Sequence, residues 1–215
     1  YNFFALYANV DNFNYSEDEI PVNERPELDR WIISLLNSLI KEVAESYESY
    51  EPTRAGRAIS EFVTENLSNW FVRLSRKRYW GGEYSKDKVS AYQTLYNCLE
   101  IIAKLMAPIA PFYADMLYAD LNTVTQKENN QSVHLVEFPS YNEKLIDAEL
   151  EEKMGIAQKA SSMILALRRK EKLKVRQPLA KIMVPVLNPH FKEQFEAVKD
   201  IILTEVNVKQ VEFLS

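Results

Sequence analysis

The sequence has few of the residues on which disulfide, metal and nucleophilic chemistry depend. Its 215 residues include one cysteine, Cys98, and two histidines, His134 and His190, which lie far apart in the chain. A single cysteine excludes an internal disulfide and a cysteine-based metal site, so we expect no bound metal and a reducing, cytoplasmic compartment. Neither histidine has the neighbours of a catalytic triad, and the paired carboxylates are typical of solvated surface runs. We therefore expect a binding protein with no catalytic residue of its own.

Glycine-rich loops and long apolar runs are also missing. None of the four glycines belongs to a phosphate-binding loop. No apolar run approaches the roughly 18 residues of a membrane-spanning helix, and no secretory signal is visible. The composition, 47% hydrophobic and 27% charged, is instead that of a globular protein with a real core. Because the chain begins at Tyr1, within a helical pattern, we expect it to be a fragment of a longer polypeptide.

Positive charge is scarce overall but concentrated in two places. The net charge is -5, yet residues 54–88 hold eight basic and four acidic residues, and residues 159–181 hold eight basic and one acidic. Two basic islands in an acidic background allow a polyanion to be bound locally. The alternative is that long helices simply carry solvated lysine and arginine.

Apolar residues at helical spacing dominate the first part of the chain. Pro26 and Pro52 fit helix starts, Gly81-Gly82 fits a helix end, and Ser85 fits the cap of the next helix. The connecting segments are short enough for antiparallel neighbours. The pattern predicts an antiparallel helical bundle over residues 1–143.

A different pattern follows the bundle. The stretch SVHLVEFP indicates a short extended piece, Asp147 fits the cap of a long helix, and Pro189 opens another helix. The stretches KIMVPV and VKQVEF have the composition and alternation of strands. We predict a small α/β subdomain over residues 144–215, in a chain that is mainly α.

The first basic island contains the stretch NWFVRLSRKRYW, residues 69–80, with four basic and four aromatic side chains. At 100° per residue, Trp70 and Phe71 face the core, whereas Glu61 and Glu65 lie away from the cations. The adjoining flank mixes amides, guanidinium groups and aromatics, which can read bases, pair with phosphate and stack on unpaired bases. We place these residues on that exposed flank: Phe62, Asn66, Asn69, Arg73, Arg76 and Trp80.

The second island lies at the end of the long helix and in the loop after it. Two or three cations there are explained by the helix dipole, and the surplus fits binding to a phosphate backbone. The residues concerned are Arg168, Arg169, Lys170, Lys172, Lys174, Arg176 and Gln177.

Several segments together resemble the region that follows the catalytic core of the isoleucyl-tRNA synthetase family. In chain order they are YNFFALYANVD, RPELDRWIISLLNSLI, NWFVRLSRKRYW, MAPIAPFYADMLY, SVHLVEFP and KVRQPL. The LDRW and MAP..PF patterns are similar to those of valyl and leucyl enzymes as well, whereas the combination of the other motifs is more specific. The resemblance implies a class I anticodon-binding domain: a helical bundle followed by a smaller subdomain.

This resemblance implies that the chain binds the anticodon stem-loop of isoleucine tRNA, as part of an isoleucine–tRNA ligase that performs ATP-dependent aminoacylation. ATP and Mg are expected in a catalytic core elsewhere in the polypeptide, because the HIGH and KMSKS signatures do not occur in this chain. We expect the chain alone to be catalytically inactive, to hold no cofactor, and to work as a monomer with that core and tRNA as partners. The residues expected to contact tRNA are those of the second island together with Asn66, Asn69, Arg73, Arg76, Lys77, Arg78 and Trp80, with Lys77 on phosphate.

Three alternatives remain open from the sequence. In the first, the chain is the matching domain of a valyl or leucyl enzyme. In the second, it is a helical module that recognises protein, and in the third it is an enzyme acting alone. The second leaves the basic islands unexplained, and the third lacks a catalytic constellation.

Overall fold

The computed structural model describes residues 1–186 and 188–214, which form two compact units. The first unit is Tyr1–Ile146, and the second begins at Asp147.

The first unit is helical, and its helix boundaries follow local chemistry. Pro52 and Pro111 stand in the first turns of their helices, where a missing N–H costs nothing. Ser85 accepts a hydrogen bond from the backbone N–H of Lys88 at 3.3 Å and so caps the helix that follows. The α-helices are α1 Asn2–Asp11, α2 Glu27–Glu48, α3 Pro52–Glu61, α4 Arg73–Trp80, α5 Lys86–Met106 and α6 Pro111–Thr125.

The core of this unit is built around α2 and α5. Trp31 of α2 is fully buried, as is Phe71. The rings of Phe13 and Tyr92 stack with centroids 4.8 Å apart, and Tyr79 meets Tyr92 edge-on at 5.0 Å. Such ring pairs add to the stability that burial itself provides. This packing holds the helix containing the first basic island in a fixed position.

Between α3 and α4 the chain continues without a break as a π-helix, Phe62–Val72. This differs from the continuous α-helix that the sequence predicts. A π-helix closes i→i+5 hydrogen bonds and turns less per residue, so positions assigned at 100° per residue drift around the axis. The drift explains one wrong assignment: Phe62, expected on the exposed flank, is buried. Trp70 is also buried, as predicted.

The prediction of a short extended piece in the stretch SVHLVEFP is also wrong. Val133–Leu135 forms one turn of 3₁₀-helix. Asp115 of α6 accepts hydrogen bonds from the backbone N–H of Val133 at 3.0 Å and from the hydroxyl of Ser132 at 2.6 Å. The Asp115 carboxylate thus takes the place of the backbone carbonyl with which a neighbouring strand would have paired the N–H of Val133. A second 3₁₀ turn occupies Glu143–Leu145.

The second unit is a helix followed by a β–α–β arrangement. Its elements are α7 Ala148–Lys170, β1 Leu179–Pro185, α8 Pro189–Val206 and β2 Val208–Leu214. The strands pair in parallel, with Ile182 opposite Val211 and Val184 opposite Phe213. Asp147 accepts from the backbone N–H of Leu150 at 3.0 Å and caps α7 as predicted. The prediction of a mainly α chain with a small α/β part is confirmed.

Within the described ranges, every helix is too short or too polar to cross a lipid bilayer.

Candidate nucleic-acid interface

The helix that carries the first basic island divides its cations between the interior and the solvent. Arg73, Arg76 and Lys77 are exposed, whereas Arg78 is turned inward. Among the residues that the structure describes, Arg76 and Lys77 make no side-chain hydrogen bond or ion pair. Two cations without counter-charges therefore stand side by side on α4.

Arg73 is exposed but held in place. Its Nε donates to the backbone carbonyl of Asn69 at 2.7 Å, and its guanidinium lies 5.9 Å from the centroid of the Trp70 ring. These contacts reduce the rotamers available to a long side chain before any ligand arrives. The outer nitrogens of Arg73 are thereby aimed in a restricted direction.

The two amides and the terminal tryptophan surround these cations. Asn69 is exposed and donates to a carboxylate oxygen of Glu65 at 3.4 Å, while Asn66 is half-buried. Trp80 is 59% exposed, and its indole N–H donates to the hydroxyl of Tyr7 on α1. No local sequence pattern points to Tyr7, because Tyr7 and Trp80 meet only through the fold. One edge of the Trp80 indole is fixed, and more than half of its surface remains open to a stacking partner.

Arg78 differs from its neighbours because it is neutralised inside the unit. Its Nη2 donates to Asp29 Oδ2 at 2.9 Å and its Nε donates to Asp87 Oδ2 at 3.0 Å. Burial alone lowers the pKa of Arg78, but the hydrogen bonds and charges of Asp29 and Asp87 outweigh it and raise the pKa well above its usual range. Asp29 is fully buried and also accepts from the hydroxyl of Ser90 at 2.6 Å. Arg78 therefore connects α4 to α2 and α5, and its guanidinium, expected from the sequence to contact tRNA, is bound by two carboxylates of the unit itself.

Arg168, on the second unit, also faces inward. It is 2% exposed, and its Nη2 donates to the backbone carbonyls of Lys174, at 2.6 Å, and Gln177. The chain leaves α7 through Lys172, whose φ of 55° lies in the left-handed region, and the N–H of Leu173 returns to the carbonyl of Arg168 at 2.8 Å. The loop after α7 is thus folded around one guanidinium, which makes Arg168 a positioning residue.

The other members of the second island lie around this loop with their side chains in solvent. The exposed residues are Arg169, Lys170, Lys172, Lys174, Arg176 and Gln177. Each unit thus carries a cationic surface of its own. We call the first, formed by Asn66, Asn69, Arg73, Arg76, Lys77 and Trp80, the α4 surface. We call the second, formed by the exposed residues of the second island, the α7 loop surface.

A helical unit that holds cations, amides and an open indole on one long helix fits the recognition of an RNA loop. The family model described as the anticodon-binding domain of tRNA ligase matches residues 29–184, and the chain belongs to this family. The resemblance inferred from the sequence motifs is confirmed.

Isoleucine–tRNA ligases from several bacteria match all or nearly all of the chain. The one from Bacteroides fragilis is 63% identical over 214 residues, which cover 100% of this chain and 19% of that protein. The one from Cytophaga hutchinsonii is 58% identical over the same length, and one from Dehalococcoides mccartyi is 46% identical over 209 residues. The chain spans about a fifth of the length of the curated relatives it matches.

Proposed function

We propose that the chain is the anticodon-binding part of an isoleucine–tRNA ligase and that it binds the anticodon stem-loop of isoleucine tRNA. The observation that carries the proposal is the pair Arg76 and Lys77, exposed on α4 without counter-charges in the described chain and followed by the open indole of Trp80. The family match and the names of the relatives support it. The relatives' names favour the isoleucine enzyme over the valyl and leucyl alternatives.

Each part of the α4 surface has a chemical role in this proposal. Lys77 neutralises a backbone phosphate as a point charge, and Arg73 and Arg76 pair with phosphate or with a guanine edge. Asn66 and Asn69 offer amides to base edges. Trp80 stacks on a base that the loop leaves unpaired.

The α7 loop surface is proposed to bind RNA backbone separately. Its cations come from a loop whose shape is set by Arg168, so they lie in a defined arrangement. Lysine contacts to phosphate carry little sequence information, and this surface is expected to add affinity more than selectivity.

The activity of the whole protein is part of the same proposal. We propose that a catalytic part of the same polypeptide, with ATP and Mg, attaches isoleucine to the tRNA whose anticodon this chain holds. The 215-residue chain by itself then shows no isoleucine-dependent pyrophosphate exchange. We also propose that the protein works in the cytoplasm as a monomer.

The test is binding of an anticodon stem-loop RNA to the 215-residue chain, measured by fluorescence anisotropy. We expect Arg73→Ala and Arg76→Ala each to weaken binding by about 1–3 kcal/mol, because each removes a charged contact to the RNA. Arg54→Ala is the matched control, because Arg54 is an exposed arginine on the same long helix that is already paired with Glu42 and Glu51.

Unchanged affinity in both the Arg73 and Arg76 variants would exclude the α4 surface. Equal binding to a stem-loop from valine tRNA would remove the isoleucine assignment.

A further inference from the structure

A stripe of apolar side chains on the first unit is open to solvent and takes no part in the cationic surfaces. Phe112, Tyr113 and Met116 share one face of α6, and Ile109 lies in the turn that precedes this helix. All four are exposed, and Phe112 is 90% exposed. We call these four residues the apolar stripe. Single exposed apolar residues are ordinary, but a contiguous row of large ones marks a place where another macromolecule binds.

The apolar stripe continues into a cavity. An apolar cavity of about 420 Å³ is walled by α3, the π-helix, α5 and the start of α6, and Ile109 and Tyr113 belong to both the cavity and the stripe. Gly56 forms part of the wall, and a Cβ there would lie 3.4 Å from Ile109 Cδ1. The stripe and the cavity together present a recessed apolar surface, to which large side chains of a partner can bind.

The charge around the stripe argues against RNA as the occupant. Residues 105–126 contain Asp115 and Asp120 but no lysine or arginine. A polyanion gains most of its affinity from cations, and this segment supplies none. An apolar protein surface fits the stripe better than RNA does.

The position of Tyr1 indicates which protein that is. Tyr1 and Phe3 line the same cavity, so residues that precede Tyr1 in a longer polypeptide enter the fold beside the apolar stripe. The relatives are about five times as long as this chain, which leaves ample polypeptide to cover the stripe.

We propose that the apolar stripe and its cavity are the docking surface for the preceding part of the same polypeptide, the part that carries out catalysis. This rests on the proposed function, because it takes the chain to be a segment of a ligase. Contacts between domains of one chain are commonly of moderate size, about 600–1,500 Å². An apolar contact of that kind fixes the distance and direction from the catalytic part to the RNA-binding surfaces.

The test compares the reactivity of two introduced thiols in the 215-residue chain and in the full-length protein. Phe112→Cys places a thiol on the stripe. Tyr50→Cys is the matched control, because Tyr50 is 92% exposed, as open as Phe112, in the turn between α2 and α3. The native Cys98 gives little background, because it is fully buried and burial raises the pKa of its thiol. Labelling with a maleimide is followed by mass spectrometry of the peptides.

We expect the thiol at 112 to react freely in the 215-residue chain and at least about tenfold more slowly in the full-length protein, because docking limits its exposure. The thiol at 50 should react at the same rate in both. Equal labelling of position 112 in both proteins would overturn the proposal. Protection in the 215-residue chain that depends on its concentration, with a dimer in sedimentation, would also overturn it in favour of a second copy.

These outcomes are separate from those of the RNA-binding test, because no RNA is present during labelling. Slow labelling at 112 without stem-loop binding would keep the docking surface and remove the RNA function. Stem-loop binding without protection of position 112 would keep the RNA function and remove the docking surface. In a separate labelling, with stem-loop RNA added to the 215-residue chain, protection of position 112 would overturn the docking proposal in favour of RNA.

Discussion

Arg78 and Asp29 form a bidentate ion pair, in which Nη1 of the guanidinium donates to Oδ1 of the carboxylate and Nη2 donates to Oδ2. Asp29 is fully buried, and Ser90 donates to it from α5. A carboxylate that loses such a partner is left charged in the interior, at high free-energy cost. The pair therefore serves stability, although Arg78 directly follows Arg76 and Lys77, which face solvent.

Arg78→Ala should lower the free energy of unfolding by about 3–5 kcal/mol, because it leaves Asp29 buried and unpaired. Urea unfolding followed by circular dichroism measures the change. Arg76→Ala is the control, and we expect it to alter stability by no more than about 0.5 kcal/mol, as surface substitutions do. Equal stability of the two variants would contradict the role assigned to Arg78.

Lys77→Ala should flatten the dependence of stem-loop affinity on salt by roughly one unit of slope, because one fewer counterion is released on binding. Anisotropy titrations at several salt concentrations measure the slope. Lys86→Ala serves as the control, since Lys86 is exposed but paired with Glu24 at 2.8 Å. If both variants gave the wild-type slope, Lys77 would not contact phosphate.

Arg168→Ala should speed hydrogen exchange of the backbone amides in the loop after α7. The guanidinium donates to two carbonyls of this loop, and without these hydrogen bonds the loop is held less firmly. The substitution should also destabilise the second unit by about 2 kcal/mol, the value typical of hydrogen bonds to a charged group. Arg169→Ala, which removes the exposed neighbour, should leave exchange unchanged. A loop that exchanged equally fast in wild type and in the Arg168 variant would show that it is held by other contacts.

Stability should fall in strong alkali because of the buried tyrosines. Burial, reinforced by the carboxylate of Glu19, raises the pKa of Tyr15 to about 12, compared with 10.0 for an unperturbed phenol. Burial also raises the pKa of Tyr79, and burial together with Asp11 raises that of Tyr92. Since the unfolded chain releases these protons first, their contribution is complete below pH 10 and is lost as pH rises towards 12.

The measurement is the urea midpoint as a function of pH, with phenolate absorbance recorded alongside. We expect a falling midpoint above pH 10 and, beyond the phenolate of exposed tyrosines such as Tyr50, a further rise in phenolate absorbance as the chain unfolds. Tyr15→Phe keeps the ring, removes one titrating group and should make the fall less steep. A midpoint that stayed constant through this range would contradict the assignment.

Most of the helices could be predicted from local chemistry, because their ends depend on residues close in sequence. The cap of Ser85 and the prolines Pro52 and Pro111 are examples of such short-range signals. The 3₁₀ turn at Val133 could not be predicted, because the acceptor that stabilises it is Asp115, on another helix. Pairings across the chain have no local signature.

The sequence predicted which residue types make up the candidate site. It could not predict which of these side chains face solvent and which face the interior. Arg76 and Arg78 are two residues apart and chemically identical, yet only Arg78 meets Asp29, which lies 49 positions away. Arg168 was likewise predicted with the exposed members of its island, although its partners are carbonyls that the loop brings to it only after folding. Charge counting identifies where cations concentrate, and only tertiary contacts decide which of them remain available.

The π-helix Phe62–Val72 has a consequence for how this surface could diverge among related proteins. Removing a single residue from such a segment restores tighter winding and rotates everything beyond it about the helix axis. The side chains of α4 would then be redirected together, without any change in their chemical identity. Insertions and deletions in this stretch are therefore a route by which one ancestral scaffold could be adapted to a differently shaped RNA.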